Sequence, residues 1–98
     1  MRIVFHPEAR TESIEAAIYY DSRSPGAGVG LLDALDSALD LLLENPLAWP
    51  PVAHDVRQYI LPRYPYAILY RLVQDQVYVV AFKHHARHDD YWKHRLRG

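Results

Sequence analysis

Apolar residues fall into two periods along this chain. From Ile14 to Leu43 they recur every three or four positions, and from Val56 to Phe82 they come in short dense runs. The first period belongs to helices and the second to strands. Arg2 to Phe5 reads as a short opening strand. Pro7 suits the first turn of a helix, where its missing N–H costs nothing, and Glu8 and Glu12 favour that positive end. Ile14, Ala17 and Ile18 have the spacing of a buried stripe, and this helix is expected to fade between Tyr20 and Arg23. Ser24-Pro25 then reads as a cap and first-turn proline opening a second helix. The stripe of that helix is Leu31, Leu32, Leu35, Leu39, Leu42 and Leu43, with Asp33, Asp36, Asp40 and Glu44 on other faces. Asn45-Pro46 ends it.

Pro46, Pro50 and Pro51 mark residues 45–55 as a loop. Strands are expected over Val56–Leu61, Tyr66–Val73 and Val77–Phe82, with Gln74-Asp75-Gln76 as a hairpin connection. The order is β-α-α-β-β-β. An α+β fold follows, with a two-helix hairpin on one face of a small twisted, mainly antiparallel sheet.

Ninety-eight residues allow one domain, 1–98. A chain of this length buries about 60–70% of its unfolded surface, so the stability margin is modest. There is no cysteine, which excludes disulfides, thiolate zinc sites and thiol catalysis. Met1 to Phe5 leads at once into His6-Pro7-Glu8, with no signal-peptide pattern. No apolar run approaches the roughly 20 residues of a membrane span. A cytoplasmic protein without membrane partners is the expectation.

Net charge is −1, but its distribution is uneven. Residues 1–56 hold nine Asp/Glu against three Arg, a balance of −6. Residues 57–98 hold eight Lys/Arg against three Asp, a balance of +5. That asymmetry allows either a basic contact surface or basic strands that solvate their own faces.

The basic half closes on Lys83-His84-His85-Ala86-Arg87-His88-Asp89-Asp90-Tyr91-Trp92-Lys93-His94-Arg95. This is where chemistry or polyanion contact is expected. Contact candidates are Arg57, Arg71, Lys83, Arg87, Tyr91, Trp92 and Arg95. For RNA cleavage, His84, His85 and His88 could move protons, Lys83, Arg87 and Arg71 could neutralise a phosphorane, and Tyr91 could orient a base. Each residue also has a structural use. His84 could hold the sheet to the tail. Tyr66 and Tyr70, on one strand face, could be core tyrosines with satisfied hydroxyls. Arg57 and Arg71 could pair with the acidic helices. Tyr91 and Trp92 could pin the tail.

The His/Asp density at His84, His85, His88, Asp89, Asp90 and His94 suits zinc or nickel donors, but helical ligand spacing is absent; no metal or cofactor is expected. Ser13, Ser22, Ser24 and Ser37 have no nucleophile-elbow context.

The chain resembles the RelE/ParE family of type II toxins, often labelled plasmid stabilisation proteins. The likeness is carried by Pro7-Glu8-Ala9, Tyr19-Tyr20, Asn45-Pro46 and Val56-Arg57. It continues through Arg63-Tyr64-Pro65-Tyr66, Tyr70-Arg71, His84, Arg87, Tyr91-Trp92 and Arg95. The resemblance implies two helices on an antiparallel sheet. It also implies a cognate antitoxin that folds on binding, and hence a toxin–antitoxin hetero-oligomer.

Family members divide by activity. RelE-like toxins cleave messenger RNA on the ribosome, and ParE-like toxins act on DNA gyrase. RelE-type nucleases usually carry an Arg directly after the tyrosine that precedes the apolar core of that strand, where this chain has Ala67. A second basic residue follows their last strand, and His85 is its counterpart here. Losing a phosphate-binding guanidinium removes transition-state stabilisation. The expected function is therefore a ParE-like binding toxin. The alternatives are a metal-independent ribonuclease using His84, His85, Arg87 and Tyr91, and a degenerate toxin acting mainly in a repressor complex with its antitoxin.

Overall fold

The computed structural model describes residues 1–97. Its elements are β1 (Arg2–Phe5), α1 (Pro7–Arg23), α2 (Ala27–Glu44), β2 (Pro51–Ala53), β3 (Val56–Ile60), β4 (Tyr66–Val73) and β5 (Gln76–His84). A 3-10 turn, Lys93–Leu96, closes the tail. The strands form one mixed sheet in the order β1-β5-β4-β3-β2. β1 runs parallel to β5, with Arg2 opposite Gln76 and Phe5 opposite Val79. The other neighbours are antiparallel. Two helices on one sheet face and the meander after them match the sequence pattern. The sequence reading missed β2, three residues inside the expected loop. Proline there is tolerated because β2 is an edge strand.

Both helix starts depend on specific side chains. The His6 ring accepts the Glu8 N–H through Nδ1 at 3.1 Å, and Pro7 follows as the first helical residue. The second start differs from expectation. Pro25 sits in the connecting turn, Gly26 takes the left-handed backbone (φ 86°), and α2 begins at Ala27. The cap comes from α1: Asp21 Oδ1 accepts the Gly28 N–H at 2.6 Å. The helices lie so close that a β-carbon at Gly28 would collide with the Ala17 carbonyl oxygen and the Asp21 carboxylate.

That closeness explains a correction in α1. Its buried positions are Ala9, Ser13, Ala16 and Ala17, while Ile14 and Ile18 are 49% and 63% exposed. Only small residues fit between α1, α2 and the sheet, so the bulky positions turn outward. In α2, Leu31, Leu35, Leu39 and Leu42 are buried as expected, whereas Leu32 is exposed and Leu43 half-buried. The helical side of the core joins these leucines to Tyr66, Ile68, Tyr70, Val77, Val79 and Phe82. Tyr66 and Phe82 stack with ring centres 4.6 Å apart.

The opposite sheet face carries Val56, Leu69, Val80 and Ala81, covered by Trp92 with Tyr91 and Leu96 beside it. One irregularity in β5 sets up the site. Pairing passes from Tyr70–Val79 to Leu69–Ala81, which leaves Val80 without a partner on β4. This bulge puts Val80 and Ala81 on the tail side and returns Phe82 to the helical side. β1 ends opposite Val79, so β5 beyond that point has no strand neighbour on its outer edge.

Candidate functional site

The open edge of β5 is where the sequence-predicted residues converge. Its orphan backbone groups are satisfied by two side chains from opposite ends of the chain. The Phe82 N–H donates to Glu12 Oε1 at 3.0 Å, and the Val80 carbonyl accepts from Arg95 Nη1 at 3.0 Å. Arg95 also donates from Nη1 and Nη2 to the two Glu12 oxygens, each at 2.9 Å. The Tyr91 hydroxyl donates to Glu12 Oε2 at 2.7 Å. Arg87 lies over the Tyr91 ring at 3.8 Å, with Nη1 3.9 Å from Glu12 Oε2. Glu12 is thus the hub of Tyr91, Arg87 and Arg95. Sequence reasoning gave it only a helix-dipole role. The signal that could have found it is position: Glu12 lies three residues after buried Ala9 and four before buried Ala16, on the helix's inner side.

The electrostatics follow from this burial. Burial first, and then the hydrogen bond to Glu12, push the Tyr91 phenol well above its ordinary pKa. Burial opposes the charge of Arg95, but the Glu12 hydrogen bonds outweigh it and hold the guanidinium above its ordinary value. Arg95 is 8% exposed and Trp92 2%.

The other candidates stand elsewhere. Lys83 is buried on the tail side, with Nζ 3.3 Å from Asp89 Oδ1. His84 accepts the Ala86 N–H through Nδ1 at 2.9 Å and sets its ring edge-on to Tyr66 at 5.1 Å, which pins the strand end. His85 is exposed. Arg57 does not pair with the acidic helices: its Nη1 donates to the Trp49 carbonyl at 2.6 Å and holds the loop before β2. Arg71 pairs with Asp55, from the β2–β3 turn, at 2.9 Å, and so does not meet the helices either. Tyr70 donates its hydroxyl to the Pro46 carbonyl at 2.9 Å.

A cleft of about 180 Å3 beside the open edge is lined by Glu12, Glu15, Tyr19, Tyr66, His84 and Arg87, among others. Its two carboxylates oppose a phosphodiester. Tyr91, with its proton held on Glu12, is a poor general acid. His84 has one ring nitrogen committed to the backbone. His88 likewise commits Nδ1, to the Asp90 N–H at 3.1 Å. Among the described residues no three His, Asp or Glu side chains gather as metal ligands would. No helix among them is long and apolar enough to cross a membrane.

Comparison with known proteins gives the family. Residues 3–89 match the family model described as ParE toxin of the type II toxin–antitoxin system parDE. No curated protein matches the chain. Among solved structures, a chain from the chromosomal ParDE toxin–antitoxin system of P. aeruginosa is similar, with a TM-score of 0.75 at 16% identity. The match covers 86% of this chain and 95% of that one, and at this identity it speaks to the fold alone. With a family model matched over most of its length, the chain belongs to the ParE toxin family of type II toxin–antitoxin systems.

Proposed function

We propose that this protein is a ParE-like toxin that acts in the cytoplasm by binding a protein target such as DNA gyrase, and that a cognate antitoxin neutralises it in a hetero-oligomer. The observation that carries the choice of a binding mechanism is the commitment of Tyr91, Arg95 and Glu12 to one another. A ribonuclease built on His84, His85, Arg87 and Tyr91 would need Tyr91 free to meet a phosphate or a leaving oxygen. Ala67, 3% exposed in the core, adds no cation where one would be wanted. Arg87, exposed at the rim and stacked on Tyr91, is the side chain we assign to the target contact. Trp92, Arg95, Arg57 and Lys83 serve that contact by holding the tail and loop in place.

Antitoxin binding draws support from the family and from the exposed apolar positions Ile14, Ile18, Tyr19, Val29 and Leu32 on the helices. An amphipathic segment that orders on binding would cover such positions.

Controlled expression in a bacterial host, followed by mapping of transcript ends, tests the mechanism. The binding reading requires growth arrest with transcripts intact. Codon-phased cleavage that His85→Ala or Arg87→Ala removes would replace it with the ribonuclease reading. Co-expression with the neighbouring genes should yield one co-purifying complex. A harmless protein that binds neither neighbour's product would end the antitoxin reading.

A further inference from the structure

A cavity of about 430 Å3 lies where the start of α1, the β4–β5 hairpin and the 3-10 turn meet. Its lining includes Arg71, Arg95, Arg97, His6, Gln76 and Tyr78, and no Asp or Glu. Three arginines line one space in a chain of net charge −1. Two of them are fixed by carboxylates outside the lining. Arg71 uses Nε and Nη2 on Asp55, at 3.2 and 2.9 Å. Arg95 uses Nη1 and Nη2 on Glu12. Arg71 keeps one nitrogen uncommitted, whereas every nitrogen of Arg95 faces an acceptor and Arg95 serves as a fixed wall of positive charge. Arg71 Nη1 makes no hydrogen bond among the described residues, while the buried Arg95 Nε is ion-paired with Glu8 Oε2 at 3.1 Å. Pairing of this kind orients a guanidinium in advance, so less freedom is lost when an anion arrives.

We propose that this cavity binds the phosphate group of a nucleotide, either free or within a single strand. A carboxylate offers two oxygens in one plane. A terminal phosphate presents three oxygens and a phosphodiester two, set tetrahedrally, so cations from several directions can meet one group. The volume exceeds what a lone carboxylate side chain would fill. Tyr78 and His6, whose rings meet edge-on at 6.4 Å, supply aromatic surface for the rest of the nucleotide. The site goes beyond the toxin reading and does not depend on it. It is separate from the cleft beside Glu15, His84 and Arg87.

The test is titration of the full chain, followed by NMR through the ring signals of Tyr78 and His6. The probes are adenosine 5′-monophosphate, adenosine, a short single-stranded oligodeoxynucleotide and polyglutamate. The monophosphate should shift both ring signals and bind about tenfold or more tightly than adenosine. Arg71→Gln with Arg97→Gln should weaken it by a similar factor. Arg97→Gln alone, at an exposed residue outside the core, should weaken it in a protein with unchanged melting. If the oligonucleotide binds more tightly than the monophosphate, the ligand is a strand; the reverse order makes it a free nucleotide, and either supports the site. Adenosine binding as well as the monophosphate would overturn the proposal. So would affinity unchanged by the arginine substitutions, no response of either ring, or polyglutamate binding in preference to both nucleotides.

Discussion

The Arg95 guanidinium grips the Glu12 carboxylate through two hydrogen bonds of 2.9 Å, joining residues 83 positions apart. Their side chains are 5% and 12% exposed. Between them they also satisfy the Val80 carbonyl and the Phe82 N–H on the edge that β1 leaves open. The bond therefore closes the sheet and ties the tail to the first helix.

Removing one partner takes from the other its two shortest charge-assisted bonds, leaving a buried group with only a flanking counter-charge: Glu8 for Arg95, Arg87 for Glu12. Glu12→Ala and Arg95→Ala should each destabilise the fold by about 3–5 kcal/mol. The double variant should lose much less than the sum of the two, because neither charge is then left unpaired. Urea melts of the four proteins give the coupling energy. Additive losses would show that the pair does not act as a unit.

Gly28 is the contact point of the helix hairpin. Gly28→Ala should cost about 1–3 kcal/mol through overpacking against Ala17 and Asp21, despite alanine's better helix propensity. Thermal melts check this, and a raised melting temperature would contradict it.

The tyrosines predict an alkaline limit. Tyr20, Tyr66, Tyr70 and Tyr91 are all raised above the ordinary value of 10.0, in each case chiefly by burial. Below that pH both folded and unfolded chains keep these phenols protonated, so the contribution to stability is fully present. Above it the unfolded chain loses protons first, and stability falls as pH rises toward the folded-state values. Tyr91→Phe should flatten that decline. Urea midpoints measured from neutral pH to above pH 10 in parent and variant check it. An identical pH slope in both would contradict the prediction.

Much of the fold was legible because period survives in sequence. The Leu31–Leu42 spacing and the β4 boundaries needed no tertiary information. What failed was phase and context. Ile14 and Ile18 follow a helical stripe, but alanines face the core, because the space between α1, α2 and the sheet admits only small side chains. Pro25 looked like a first-turn proline, yet Asp21 caps α2 from the other helix. The tail cluster was visible as a run of charge and aromatics. Its organiser, Glu12, was not, because the bond to Arg95 spans nearly the whole chain. The pairing of Arg57 with nearby loop carbonyls was hidden for a different reason: a backbone acceptor carries no residue signature in the sequence.

Truncation after Arg87 removes Tyr91, Trp92 and Arg95. It should uncover Val56, Leu69, Val80 and Ala81 and abolish the cooperative melt together with toxicity. His84→Ala, by contrast, should leave a folded protein weakened by about 1 kcal/mol, from loss of the bond to Ala86 and the Tyr66 contact. Paired melting and growth assays separate the two, and a truncated chain that melts like the parent would contradict the tail's role.

The most direct test of the binding-toxin reading is plasmid supercoiling by purified DNA gyrase in the presence of the folded protein. Inhibition that Arg87→Ala weakens, in a variant that melts like the parent, is the predicted result. Full supercoiling activity at a large excess of a protein that still arrests growth would contradict it.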